Sequence, residues 1–157
     1  MNGGNYCGAY LRHLQAEHHR LNSAVLKIRK KMAQFWASGE AEATRDSLID
    51  QLENLLQELQ LHFREEEEEA GALQEAVARC RSVQPNVTAL MDEHPQLAKA
   101  LEEIIAALKT RTTDKIECEL LVETFLKRLK AHERVENSLV QFALGGQASE
   151  YDVEGNE

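Results

Sequence analysis

The sequence predicts an all-α protein, folded as an antiparallel up-down four-helix bundle. Helix-favouring residues such as Leu, Ala, Glu, Gln and Lys dominate the 157 residues, which include only 8 glycines and 2 prolines. Apolar residues recur at steps of three and four in four long segments, the spacing of a helix with one buried face. The length suits a single core. We expect residues 1–145 to form the bundle and the acidic residues 146–157 to form a disordered tail.

The first two helices are bounded by clear stop and start signals. Helix one is expected over residues 9–37, because the pair Ser38-Gly39 that follows is typical of a glycine C-cap. Helix two is expected over residues 43–79 and opens at Ala43 or Thr44. Its apolar spacing continues to Cys80, which predicts one uninterrupted helix.

The last two helices are marked by residues that favour a helix start. Helix three is expected over residues 85–110, since proline suits the first helical turn and Pro85 opens this segment. Helix four is expected over residues 113–144, with Thr112 or Thr113 as its N-cap.

Each inward seam is apolar except at one level, where residues that commonly bind metals replace leucine. They are His18 in helix one, His62 and Glu66 in helix two, His94 in helix three, and His132 and Glu136 in helix four. Counted from the turn near residue 41, His18 lies about 23 residues before it and His62 about 21 after it, so the two are level. His94 and His132 match in the same way about the turn near residue 112. Counted from the break near residue 83, the heights of Glu66 and His94 along the bundle differ by about 9 Å. We therefore expect a loose second connection or an end of helix two that extends beyond the bundle.

The two halves of the chain repeat the same short motifs. Residues 17–21 and 93–97 both read E-H-x-x-L, and residues 62–66 and 132–136 both read H-x-x-x-E. Two helical hairpins related by a pseudo-two-fold axis would bring four imidazoles and two carboxylates to one buried point.

This set of side chains is typical of a site for two metal ions. Histidine and glutamate four residues apart project from one helix face, so each H-x-x-x-E pair can bind together. Glu66 and Glu136 can bridge two metals that each have two imidazoles. Mixed nitrogen and oxygen donors favour iron or manganese, and zinc also accepts them. Without a cation, two buried carboxylates would cost several kcal/mol each.

Several other residues of these types are expected to lie outside the site. His13 and His19 are off the seam and are predicted to be surface residues. The acidic run 65–69 is predicted to form a solvated face with only Glu66 turned inward. Glu133 lies about 100° round the helix from His132 and is a candidate additional ligand.

Charge and composition argue against several classes of partner. The net charge of −9 predicts no nucleic-acid partner. No apolar run is long enough to span a bilayer, and the first residues lack the features of a signal peptide, so we expect a cytoplasmic protein without membrane contact. Cys7, Cys80 and Cys118 are too widely spaced for a zinc knot or a disulfide framework, and they are interpreted as buried or half-buried thiols.

The ordered set of motifs from His18 to Glu136 resembles the hemerythrin-like family, also called the HHE cation-binding domain. The resemblance implies a non-haem di-iron centre, with an oxo or hydroxo bridge, that binds dioxygen or responds to nitric oxide, peroxide or iron supply. Oxygen-carrying members have H-x-x-x-H on helix three, where this chain has Ala98 four residues after His94. Their last carboxylate is five residues after its histidine, whereas Glu136 is four after His132. Glu133, water or substrate would fill the vacant position.

The first hypothesis for function is therefore a di-iron protein that binds dioxygen, nitric oxide or peroxide for sensing, detoxification or iron handling. A wall of leucines around the site would exclude bulk water and suits a small ligand: Leu14, Leu21, Leu59, Leu97 and Leu129. An enzyme, either a peroxidase or an oxidase, is one alternative. A metal-free helical adaptor, whose buried polar network fixes helix register, is another.

Overall fold

The computed structural model describes residues 3–111 and 113–145, with the backbone alone for residues 3–7. Its elements are α1 (Gly3–Ala37), α2 (Glu42–Glu67), α3 (Ala72–Arg79), a 3-10 turn (Arg81–Val83), α4 (Gln84–Thr110) and α5 (Lys115–Gly145). The four long helices pack in a ring in the order α1, α2, α4, α5. The predicted all-α fold is confirmed, and the described residues contain no strand.

The second predicted helix is wrong in one respect, because it is two helices. α2 ends at Glu67, Glu68 adopts an extended conformation, and α3 begins at Ala72. Five consecutive glutamates repel one another, and the helix ends within them. α3 then folds back against α5, α2 and α1. The expected overhang or loose connection is therefore replaced by a sharp break and a short packed helix.

The other helix ends agree with the sequence to within a few residues, apart from the start of helix one. α1 begins at Gly3 rather than Ala9 and ends at Ala37, and Gly39 has a left-handed φ of 72°, as the glycine C-cap requires. Pro85 lies in the first turn of α4, as predicted. Of the two threonines predicted to cap helix four, Thr112 lies outside the described residues. The cap is Asp114, whose Oδ1 accepts a hydrogen bond of 2.8 Å from the backbone N–H of Glu117.

Buried apolar residues form two clusters, one on each side of the predicted ligand level. The large cluster lies towards the connections near residues 38–41 and 111–114, and it includes Leu21, Leu59, Phe63, Leu97 and Leu129. The small cluster lies on the side of α3, and it comprises Leu14, Leu73, Ala76, Val83, Val87, Leu90, Leu139, Val140 and Leu144. In α1, α4 and α5 the ligand residues thus lie between one leucine of each cluster. The predicted leucine wall is buried, each member being at most 2% exposed.

The remaining sequence predictions have mixed outcomes. Cys118 is buried and Cys80 is half-buried, as expected, whereas the side chain of Cys7 lies outside the described part. The predicted tail 146–157 also lies outside it. Within the described residues, no helix combines the length and apolarity that a bilayer span requires.

Candidate metal centre

The structure brings all six predicted ligand residues together at one level of the bundle. None is more than 4% exposed, and they come from all four long helices: His18, His62, Glu66, His94, His132 and Glu136. They form two overlapping groups that share both glutamates. In each group the nitrogen and oxygen atoms lie within 4.8 Å of one another.

The first group contains His18 and His62 with the two glutamates. Nε2 of His18 lies 2.8 Å from Oε1 of Glu136. Nε2 of His62 contacts Oε1 of Glu66 and lies 3.8 Å from Oε1 of Glu136. Both imidazoles therefore direct Nε2 towards the shared carboxylates.

The second group repeats this arrangement with His94 and His132. Nε2 of His94 lies 3.6 Å from Oε2 of Glu66, and Nε2 of His132 lies 3.4 Å from Oε2 of Glu136. The two oxygens of each glutamate thus face different histidine pairs. This is the placement that a carboxylate bridging two cations needs.

The inward donor atoms are better satisfied by a pair of cations than by hydrogen bonds with one another. Nε2 of His62, His94 and His132, both carboxylate oxygens of Glu66 and Oε2 of Glu136 are buried without a hydrogen-bond partner. Each such orphaned group would cost about 1–3 kcal/mol in a dry interior. Within the described residues, the ion pairs of these two glutamates are to histidines alone. Divalent cations would satisfy the orphaned atoms and balance the carboxylate charge.

The two glutamates have opposite pKa shifts. Burial, together with the nearby charge of Glu136, raises the pKa of Glu66 well above its usual value. Burial also opposes ionisation of Glu136, but the adjacent Glu66 carboxyl group and the surrounding histidines, of which His18 is hydrogen-bonded to it, hold its pKa well below the usual range. When no metal is bound, these directions favour a protonated Glu66 beside an ionised Glu136.

The two histidines of the second group also have opposite pKa shifts. Burial and the neighbouring His132 lower the pKa of His94 to about 3, so its imidazole is neutral and available as a ligand at neutral pH. Burial would lower the pKa of His132 as well, but the nearby carboxylates of Glu136 and Glu93 raise it.

Three glutamates outside the centre lie near the outer nitrogens of three histidines, and of these glutamates Glu93 forms a hydrogen bond, whereas Nδ1 of His94 has no hydrogen-bond partner. Oε2 of Glu93 lies 3.1 Å from Nδ1 of His132, at hydrogen-bonding distance. Oε1 of Glu67 lies 3.4 Å from Nδ1 of His94, and Oε2 of Glu17 lies 4.0 Å from Nδ1 of His62. A carboxylate at this position fixes the ring orientation of a ligating histidine and makes it a stronger donor.

These outer carboxylates are not predicted by the sequence patterns above, although the repeat contains a signal for two of them. Glu17 and Glu93 are the first residues of the two E-H-x-x-L motifs, and each contacts a histidine of the neighbouring long helix. Glu67 belongs to the acidic run that was predicted to be solvated. Its side chain is 39% exposed, yet it reaches His94.

The fourth histidine has no such carboxylate. Nδ1 of His18 is buried without a hydrogen-bond partner, and so is Oδ1 of Asn137. Asn137 follows Glu136 as Glu67 follows Glu66, so an amide stands where the other half of the chain has a carboxylate. The two histidine pairs are therefore not equivalent in their surroundings.

Phe63 was predicted by no motif, but it packs against the second group. Its ring stacks on His94 with the centroids 3.9 Å apart, and it meets His132 edge-on at 5.6 Å. Because Phe63 is buried, these contacts limit rotation of both imidazoles.

The other histidines and Glu133 lie outside the two groups. His13 and His19 are exposed, as predicted. Glu133 is 5% exposed, and its Oε2 has no hydrogen-bond partner. Burial raises the pKa of Glu133, while His18 and a hydrogen bond with Asn22 oppose that rise. Glu133 therefore lies beside the first group without belonging to either set of converging donor atoms.

Comparison with known proteins gives one match that spans most of the chain. The family model for the hemerythrin HHE cation binding domain matches residues 10–143, which include every residue of the centre. No curated protein and no solved structure matches the chain.

Proposed function

The chain belongs to the hemerythrin HHE cation-binding family, and on this premise we propose that its buried centre holds two iron ions and binds dioxygen or a related small ligand such as nitric oxide or peroxide. The observation that carries the proposal is the pair of donor groups that share Glu66 and Glu136. The orphaned inward atoms of these groups support it further.

In this proposal each residue type has a distinct role. Glu66 and Glu136 would bridge the ions, His18 and His62 would bind one ion, and His94 with His132 would bind the other. Metal binding would displace the proton of Glu66, whose raised pKa shows how tightly the apo protein holds it. When bound, the two iron ions would supply Lewis acidity and one-electron redox chemistry.

The surroundings of the centre favour a small ligand. The leucine wall limits the access of bulk water to the centre, which would strengthen electrostatic interactions there and protect reactive species. Ala98, four residues after His94, offers no donor side chain, so the chain would leave a position open on an ion held by His94 and His132. Glu133 is proposed as an additional ligand for the first ion, because its unpartnered oxygen is buried beside His18.

An antiparallel arrangement with two related hairpins is part of the proposal. Along α1 and α5, His18 lies beside Glu136 and Arg29 lies 2.8 Å from Glu123, so residue numbers run in opposite directions. The two donor groups take equivalent residues from the two halves of the chain, which supports the pseudo-two-fold relation.

Metal content and absorption spectra test the proposal directly. Purified protein that is loaded anaerobically with ferrous iron and desalted should contain two iron ions per chain. Admission of air should then produce near-ultraviolet bands of an oxo-bridged ferric pair, and these bands should change when azide or peroxide is added. If the purified protein instead contained two manganese or zinc ions per chain, the assignment of iron would be wrong but the two-metal site would stand. Protein without transition metal would favour a metal-free adaptor.

Substitution of one ligand tests the residue assignment. His62→Ala should reduce the iron content to about one ion per chain and lower the melting temperature of the loaded protein, because metal affinity adds to folding stability. His19→Ala removes an exposed histidine from the same bundle and should change neither quantity. Unchanged iron content in His62→Ala would contradict its assignment as a ligand.

An enzyme is the second candidate, and the vacant position beside His94 favours it. An ion with fewer imidazoles suits inner-sphere chemistry with peroxide better than reversible carriage. Multiple turnovers of hydrogen peroxide with an added reductant would indicate a peroxidase. Stoichiometric, reversible spectral changes would indicate a binding protein.

A cytoplasmic location remains a proposal.

A further inference from the structure

A pocket connects the surface of the protein with the buried centre. It has a volume of about 200 Å³ and lies between α1 and the segment that joins α2 to α3. Its lining includes the buried ligands His62 and Glu66 together with the exposed residues His13, Glu65 and Glu68. Two residues of the buried centre therefore line the same space as solvent-exposed side chains.

A second, smaller set of metal-ligand residues lies at the outer part of this pocket, and two of its members, His13 and Glu65, line the pocket. One atom from each of His13, Glu17 and Glu65 lies within 4.8 Å of the others. Nε2 of His13 is 3.7 Å from Oε1 of Glu17 and 3.9 Å from Oε2 of Glu65. Ligand atoms around one divalent ion must be no more than about 4.2 Å apart if each bond is about 2.1 Å. The exposed side chains of His13 and Glu65 can move by this small amount.

Glu17 links the outer set to the inner centre. Its Oε1 faces His13, and its Oε2 lies 4.0 Å from Nδ1 of His62 and 2.6 Å from a guanidinium nitrogen of Arg20. Arg20 neutralises part of this carboxylate, so a cation would bind weakly and leave readily. Transfer of a cation inward requires that its affinity is lower at the surface set than at the buried centre.

We propose that the surface set His13, Glu17 and Glu65 is an uptake site for a divalent cation, which then passes through the pocket to His62 and Glu66. This inference rests on the proposed di-iron function, because it supplies the route by which ferrous iron reaches the centre. Glu68 adds a carboxylate to the lining of the pocket, and the net charge of −9 attracts cations to the protein as a whole. The unpartnered oxygens of Glu66 mark the inner end of the route.

The rate of iron uptake tests the proposal. Apo protein is mixed anaerobically with ferrous iron, samples are desalted at timed intervals, and bound iron is measured for the full chain. The test variant combines His13→Ala with Glu65→Gln, neither of which alters a residue of the buried centre. The control combines His19→Ala with Glu103→Gln, which removes the same residue types from exposed positions outside the pocket. Melting temperatures of the apo proteins verify that both variants fold.

The expected result is uptake slowed by about five-fold or more in the test variant, with the same final iron content as the wild type. The control should load at the wild-type rate. Equal rates in all three proteins would overturn the uptake site while leaving the di-iron proposal intact. An unchanged rate with less final iron would also overturn it, since these residues would then belong to the binding centre. No iron in the wild type would instead refute the di-iron function and, with it, this inference.

Discussion

At the scale of single residues, Glu66 would couple the proposed metal binding to protonation and to stability. Its pKa is raised in the folded apo protein, so folding strengthens its hold on a proton. That proton stabilises the apo fold below the usual pKa of glutamic acid, and the contribution is lost as the pH rises through the raised value. The low pKa of Glu136 acts in the opposite direction, because its contribution is present above the usual pKa and is lost on acidification.

Glu66→Gln should separate these effects, because glutamine imitates the protonated carboxyl group. At pH 8 the apo variant should be more stable than the apo wild type by about 1 kcal/mol or more, since it never buries the second charge. It should also retain at most one iron ion, because glutamine does not bridge two cations. Urea denaturation at pH 5 and pH 8, together with iron analysis, measures both. Parallel pH dependences in the two apo proteins would contradict the assigned role of the proton.

Glu93 is expected to act through His132, to which it is hydrogen-bonded at 3.1 Å. Glu93→Gln should weaken binding of one metal ion by roughly ten-fold, because the imidazole loses its charged partner but keeps a hydrogen-bond acceptor. Titration against a competing chelator measures this affinity. Glu103→Gln removes the same charge from an exposed position of α4 and serves as the control. Equal affinities for both variants and the wild type would exclude a positioning role for Glu93.

At the scale of secondary-structure elements, the sequence predicted the four long segments and missed the break after Glu67. The periodic seams of α1, α4 and α5 are continuous, so their extents follow from local spacing. The apolar spacing of α2 also continues past Glu67 to Leu73. Leu73 is buried, as that spacing predicts, but it belongs to the separate helix α3. Local periodicity does not reveal this change of direction, since a tertiary contact with α5 determines it.

Gly71 makes this change of direction sterically possible. A Cβ atom at this position would overlap the backbone carbonyl oxygens of Glu65 and Glu66. Gly71→Ala should therefore lower the free energy of unfolding by about 2 kcal/mol or more, and it should weaken metal binding because Glu66 must move. Denaturation curves and iron content measure the two effects.

Gly8→Ala is the matched control for this substitution. A Cβ atom there meets only the flexible end of Arg12, and alanine favours the helix by up to about 1 kcal/mol. The control should be as stable as the wild type or slightly more stable. A similar outcome for Gly71→Ala would show that the end of α2 tolerates displacement.

At the scale of the whole molecule, the centre joins all four long helices at one level. An ion bound there would therefore stabilise the packing of the complete bundle, by about 2.7 kcal/mol when its free concentration is a hundred times its dissociation constant. Removal of metal with a chelator should lower the melting temperature by roughly 5 to 10 °C for each such site. Calorimetry with and without chelator measures the shift. No shift in protein shown to contain two iron ions would contradict a centre that spans the bundle.

The position of the centre could be predicted because four separate helices replace leucine at the same height. The count from the first turn places His18 and His62 level, and the structure brings their rings to a centroid separation of 5.2 Å. The outer carboxylates were not predicted, because Glu67 and Glu93 lie on half-exposed positions that many surface glutamates occupy. Their contacts depend on the rotation of neighbouring helices about their axes, which local spacing does not determine.

The short helix α3 gives the two poles of the bundle unequal resistance to local unfolding. Its eight residues are too few to remain helical alone in water, so its fold depends on the packing of Leu73 and Ala76. Detachment of α3 would disrupt only the small cluster, while the large cluster would keep the long helices assembled. Excursions of this kind cost less than global denaturation and occur more often. Slow amide hydrogen exchange should therefore be concentrated at the pole remote from α3.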